Sequence, residues 1–361
     1  MSLLSQILPA LEREPALARL SALLADGRDA TVAANSLVRP PVIAALLDAR
    51  ERPALVVVAG EESAERYARL LRAYLPRERV LRLPLREDMP WDTSAPDLEV
   101  VGSRARALYA LDRGRPVVVV ASARALMRVL PPQGSHVFEP LEIAVGGTLD
   151  LVEAAEHLAR MGYERADTAT ERGQFAVRGG TLDVFASDSG YPVRAELFGD
   201  EIETLKRYVP TTGQTIGDSA MVEIFPCRDI MLGTRATQGI HRALDKKAKE
   251  DDALAYDLER VDEGIYFNGV ERFLPYIYKS AGAVLDYVPP SALIVVAEPR
   301  SLFDDAARYH DDVLAKAKAA EATATGLFLG PAALDLGSRQ RLTLLSMLRA
   351  GGSIDAEITS R

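Results

Sequence analysis

The chain has 361 residues, of which 48% are hydrophobic and 26% charged, and 43 Lys+Arg against 52 Asp+Glu give a formal charge of −9. That balance predicts a folded chain of two or three domains and excludes wholesale disorder, a membrane-spanning apolar run and a surface that is basic throughout. A single cysteine, Cys227, excludes an internal disulfide and multi-cysteine metal sites, and with no basic signal-like region at Met1–Gln6 the expected setting is reducing and cytoplasmic.

Leu3, Leu4, Ile7, Leu8, Leu11, Leu20, Leu23 and Leu24 recur at helical spacing, which predicts one helix ended by Asp26-Gly27. The apolar run 54–60 predicts a strand, 61–74 a helix, 80–85 a second strand and 116–121 a third. Ser122 is placed to cap a further helix carrying Leu126 and Met127. Strands alternating with helices imply a parallel sheet covered on both faces. After Pro131-Pro132-Gln133-Gly134 the rhythm changes. One helix over 149–161 precedes strands at 175–177, 181–185, 191–198 and 202–208, a meander within an α+β insert. Beyond Pro210, strands at 221–224 and 293–297 and helices at 238–249, 254–259 and 301–322 return to a mixed pattern. The expected fold is α/β, a parallel-sheet domain split by the insert. Its first part covers residues 1–130, the insert 131–210, and the second part with a C-terminal tail 211–361.

A parallel α/β domain invites a nucleotide, so a glycine-rich phosphate loop followed by lysine and a hydroxyl is the first test. The candidate segment, residues 30–41, has neither glycine nor lysine, and Pro40 and Pro41 lack an N–H. Asn35-Ser36 reads as a helix cap there. The pairs Gly146-Gly147, Gly179-Gly180 and Gly351-Gly352 lack the motif context. His136, His157, His241 and His310 share no metal-ligand spacing, and Cys227 reads as a buried structural thiol. No catalytic residue, metal site or cofactor site is expected. Trp91, between Pro90 and Pro96 and followed by Arg104 and Arg106, could stack on a base, but one aromatic does not make a platform. A packed loop with Asp92 or Ser94 capping the next helix is the better reading. Between Arg160 and Arg178 four arginines face three acids in an otherwise acidic insert. Arginines beside an exposed aromatic are common anchors of protein–protein contacts, whereas pairing of Arg165 and Arg178 with Asp167 and Asp183 would make an ordinary wet surface. Composition leaves these two open.

At these residues the sequence resembles a known family. Tyr163-Glu164-Arg165, Arg172-Gly173-x-Phe175-x-x-Arg178-Gly179, Leu182-Asp183-Val184-Phe185 and Arg194-x-Glu196-Leu197-Phe198-Gly199-Asp200-Glu201-Ile202 are similar to the signature shared by the excision-repair protein UvrB and the bacterial transcription-repair coupling factors (Mfd). Met89-Pro90-Trp91-Asp92 with Ser94-x-Pro96 and Arg104 favours the coupling factors. So does the missing phosphate loop, and residues 96–104 leave no room for UvrB's DNA-threading hairpin. The resemblance implies a degenerate, helicase-like UvrB module whose insert binds UvrA, through Arg165, Arg178 and an exposed Phe185, with Arg172 and Phe175 as neighbours. It implies an N-terminal piece of a longer ATP-dependent DNA translocase, in which ATP, RNA polymerase and double-stranded DNA are engaged by other domains. A DNA-binding module or an ATP-dependent helicase subunit are the rivals.

Overall fold

The runs Ala54–Val58, Val118–Ser122 and Leu293–Ala297 are buried along their whole length, which a strand achieves only where both faces of its sheet are covered. The computed structural model describes residues 3–48, 50–334, 336–346 and 354–358; Gly351-Gly352 lies outside them. The chain divides into two compact units, the first comprising 1–85, 107–129 and 283–361. Its seven strands are all parallel, in the order Ala356–Ile358, Ala30–Ala34, Arg341–Leu345, Leu293–Ala297, Ala54–Val58, Val118–Ser122, Val80–Leu83. Val56 lies opposite Val295 on one side and Val120 on the other. The α/β expectation therefore holds.

Several elements differ from the sequence reading. The first helix is broken into Leu8–Glu12 and Pro15–Ala25, with Glu14 extended because the following proline disfavours helical backbone before it. Leu8, Leu20 and Leu24 still reach one core. Ala30–Ala34 is a strand, hidden in the sequence by its small residues, and Asn35 joins it to a helix at Arg39–Asp48. Ser122 Oγ accepts from the Ala125 N–H at 3.2 Å as a cap should, but what it caps is only the 3-10 turn Arg124–Leu126. The helix Glu61–Tyr74 forms as expected.

The second unit comprises Arg86–Arg106 and Leu130–Gly282. Its six-stranded sheet runs Thr215–Asp218, Glu201–Tyr208, Val193–Phe198, Thr181–Val184, Gln174–Arg178, Glu164–Arg165, antiparallel except for the last pair. Helix Leu151–Arg160, capped by Asp150 on the Val152 and Glu153 N–H groups, packs Ala154 and Leu158 against Phe175, Leu182, Val193, Ala195 and Cys227. Burial pushes the Cys227 thiol up to about 12, so it stays protonated and structural. Met221–Ile224 pairs with Leu141–Ala144, a strand too short and mixed to read from sequence. Helix Leu98–Asp112 is capped by neither Asp92 nor Ser94: Asp97 accepts from the Glu99 N–H at 2.9 Å, and Asp92 instead closes a turn on Met89 N. Gly102 of that helix is indispensable, because any side chain there would collide with Ser187 and Asp188.

Arg86 is a fully buried charge of this unit, its side chain 1% exposed. It donates to Asp88 at 2.9 Å and to Asp229 at 2.8 Å, with Glu271 at 3.7 Å. Burial would lower its pKa, but Asp229, Glu271 and Asp88 more than reverse that and keep the guanidinium charged. Arg86→Met should therefore lower unfolding stability by ~3–5 kcal/mol, read by urea denaturation, because it strands buried carboxylates. His241 offers a second test. Its Nε2 lies 2.8 Å from Asp262, and its Nδ1 2.5 Å from Asp245, which holds the imidazolium pKa above 6.5. That stabilisation is fully present below the unfolded value near 6.5 and lost as pH rises through the higher folded value. The melting temperature should fall across that window, and His241→Gln should flatten the fall.

Candidate partner-binding surface

Gln174–Arg178 and Thr181–Val184 form a hairpin whose inward residues are core, Phe175 at 2% exposure and Leu182 at 1%. The alternation of a strand sends Arg178 to the other side, while Val177, on the side of Phe175, is half-buried against the same core. The two-residue edge strand Glu164–Arg165 lies parallel to it, Arg165 opposite Phe175, and Ala166 N donates to Phe175 O at 2.9 Å. Arg165 and Arg178 are thereby brought together: with Ala166, Asp167 and Val177 they line one open depression of about 770 Å³.

Both arginines are exposed, and neither is firmly paired. Arg165 has no ion-pair or hydrogen-bond partner among the described residues. Arg178 reaches Thr168 Oγ1 at 3.4 Å and comes only within 3.7 Å of Asp183. Asp183 is buried and belongs to Arg194, which grips both its oxygens at 2.7 Å and stacks over the Tyr208 ring at 5.0 Å. Burial, with Asp183 beside it, pushes Tyr208 up to about 12. The pairing of Arg178 with Asp183 that would have made this an ordinary wet surface is thus a loose one. That Arg194 outcompetes Arg178 is decided by the register, which sets Asp183 opposite Arg194.

The other expected residues are elsewhere. Phe185 is not the exposed aromatic that the resemblance led us to expect. It is 7% exposed, its N–H bonded to Gln174 O at 2.9 Å, and Arg172 covers its ring at 5.7 Å. Alternation turns it away from the Leu182 and Val184 side, and the arginine over its ring covers it. Phe175 lies in the core. Arg172 is half-buried and engaged, bonded to Ser189 O at 3.0 Å and paired with Glu99 at 2.9 Å. Asp167 and Val177 also line the depression, Val177 as the half-buried residue that follows Phe175 along the core side of the strand. Gly173 sits at φ +83, pressed against Leu98, so that only glycine fits this turn. Gln174 Oε1 orders the preceding loop by accepting from Thr170 N and Glu171 N, both at 3.1 Å.

The arginines of the alternative DNA-binding reading are committed internally. Arg104 is 1% exposed, and Arg106 pairs with Asp188 and with Glu223 at 3.2 Å while lying 4.6 Å over Phe225. Among the described residues no cluster could hold a metal ion and no helix is long and apolar enough to cross a membrane.

Residues 141–229, which include this surface, match the UvrB interaction domain family. The chain is 32% identical over 286 residues to the transcription-repair-coupling factor of Mycobacterium bovis, covering 75% of this chain and 23% of that protein. The coupling factor of Myxococcus xanthus is 31% identical over 293 residues, covering 77% of this chain and 24% of its own length. The UvrABC system protein B of Thermobifida fusca is 28% identical over 331 residues, covering 81% of this chain and 47% of its own. The family resemblance read from the sequence is borne out, and the chain spans under a quarter of the length of these coupling factors.

Phe185→Ala should act as a core deletion. It should cost ~3–5 kcal/mol, seen as a lowered thermal midpoint. An unchanged midpoint would show that the ring is not packed as described.

Proposed function

We propose that this chain, a homologue of the transcription-repair-coupling factors, is a non-catalytic UvrB-like adaptor module of nucleotide excision repair that recruits UvrA to stalled RNA polymerase. The observation that carries the reading is the pair Arg165 and Arg178, exposed, loosely held and facing one depression inside the segment that matches the UvrB interaction domain. Guanidinium groups bind carboxylates in planar, two-pronged geometry, so an acidic patch on UvrA is the matching chemistry.

The non-catalytic part of the reading is supported by the turn after strand Ala30–Ala34, where a phosphate loop would sit. Phosphates need free backbone N–H groups there. Asn35 Oδ1 already accepts those of Leu37 at 3.0 Å and Val38 at 3.2 Å, and Pro40 and Pro41 have none. Arg39, 5% exposed, fills the space behind, bonded to Ala34 O at 2.9 Å and to Glu298 at 2.5 Å. In this reading the longer protein acts in the cytoplasm, and its contacts with ATP, RNA polymerase and double-stranded DNA belong to domains outside these residues.

Titration of UvrA against Arg165→Ala and Arg178→Ala should show each losing ~2 kcal/mol of binding free energy while folding normally. Unchanged affinity in both would remove the surface assignment.

A further inference from the structure

A second group of arginines lies in the first unit. Helix Glu61–Tyr74 runs over the edge strand Val80–Leu83, the last of the seven-stranded sheet. The helix positions 65, 68, 69, 72 and 73 share one face. With Arg77, Val80, Leu81 and Arg82 they line an open groove of about 620 Å³. Ala68, Ala73, Val80 and Leu81 leave its floor small and apolar, four arginines stand over it, and Glu65 is the one lining carboxylate.

The charges of this groove are poorly compensated. Arg69 and Arg77 are exposed and have no hydrogen-bond or ion-pair partner among the described residues. Arg72 donates both Nε and Nη2 to a single neutral acceptor, Val80 O, at 3.2 and 3.1 Å. Arg82 pairs with Glu61, yet its buried Nε has no partner among the described residues. Burial first, then the proximity of Arg82 and Arg77, lowers the Arg72 pKa, as expected where like charges crowd together. Crowded like charges of this kind attract an anionic group.

We propose that this groove docks a short acidic segment of a partner protein, its carboxylates bridging Arg69 and Arg77 with Arg72 and Arg82. Three observations favour carboxylates over a nucleic-acid backbone. The groove has no aromatic side chain on which a base could stack. Its size suits a few side chains rather than a track of phosphates. The net charge of −9 opposes a dense polyanion more strongly than it opposes a segment carrying a few carboxylates. Simple strand addition is disfavoured, since the Arg72 side chain already occupies the Val80 carbonyl at the sheet edge.

The probe is a fluorescent decapeptide of alternating Asp and Glu, with its Asn/Gln counterpart as control and a short DNA duplex as competitor, read by anisotropy at low salt. The acidic peptide should bind saturably and the control should not. The double variant R69E/R77E, which breaks no contact among the described residues and should keep its melting temperature, should weaken the peptide about tenfold or more. R165E/R178E should leave peptide affinity unchanged, which separates this groove from the proposed UvrA surface. Absence of peptide binding, equal affinity in R69E/R77E, or loss confined to R165E/R178E would each overturn the proposal. Displacement of the peptide by duplex that itself depends on Arg69 and Arg77 would overturn it in favour of nucleic acid.

Discussion

A guanidinium cut off from water is the constraint on which the second unit depends. Residues 84–96 form no regular element, so nothing in a backbone ladder fixes their path. What fixes it is Arg86, clamped by Asp88 two residues on and by Asp229, the last residue of the segment matching the UvrB interaction domain. Glu271 completes the shell and also approaches Arg228 at 3.8 Å. Arg228 lies over Tyr266, whose hydroxyl donates to Arg160 O and accepts from Leu232 N. A buried charge that loses one partner is left uncompensated, so such a chain holds together as a whole. It carries from the irregular segment at Arg86 to the carboxyl end of the helix that backs the insert's sheet.

The first unit closes the carboxyl ends of its parallel strands by similar means. In open α/β sheets that edge is where ligands collect. Here Glu61, just beyond strand Ala54–Val58, accepts from Ser122 Oγ at 2.7 Å and pairs with Arg82. Arg124 grips Asp305 through two bonds, at 2.8 and 2.5 Å, and Arg39 pairs with Glu298. Asp305 remains ionised: burial opposes the charge, but Arg124 outweighs it and lowers the pKa. Charges that could face a nucleotide are turned on one another.

Much of the fold was legible because apolar runs and turn residues report on backbone independently of distant contacts. The short, valine-rich run 54–58 reads as a buried strand, and Gly199-Asp200 as a turn. Ala30–Ala34, Leu141–Ala144 and Arg341–Leu345 were not legible, because each owes its strand conformation to partners far along the chain rather than to its own pattern. The surface divides in the same way. Arg165, level with buried Phe175, is exposed because its two-residue strand is the edge of the sheet, whereas exposure of Arg178 follows from strand alternation once the register is known. The burial of Phe185 does not, since it rests on Arg172 folding over the ring, and a sequence cannot tell an arginine that binds a partner from one that covers its own core.

That distinction gives the acidic balance its meaning. A net charge of −9 says nothing about where cations are available, because most arginines singled out above are spent internally: Arg39, Arg86, Arg104, Arg106, Arg124 and Arg194 are buried or held by carboxylates. Among those singled out, the arginines left over come in pairs, Arg165 with Arg178 and Arg69 with Arg77, each pair beside the edge strand of a sheet. Isolated pairs on an acidic body cannot neutralise a polyelectrolyte, whose binding scales with the number of phosphates contacted. They can satisfy the few carboxylates of a protein surface, and the repulsion of the surrounding acids then penalises any partner whose negative charge extends beyond the contact.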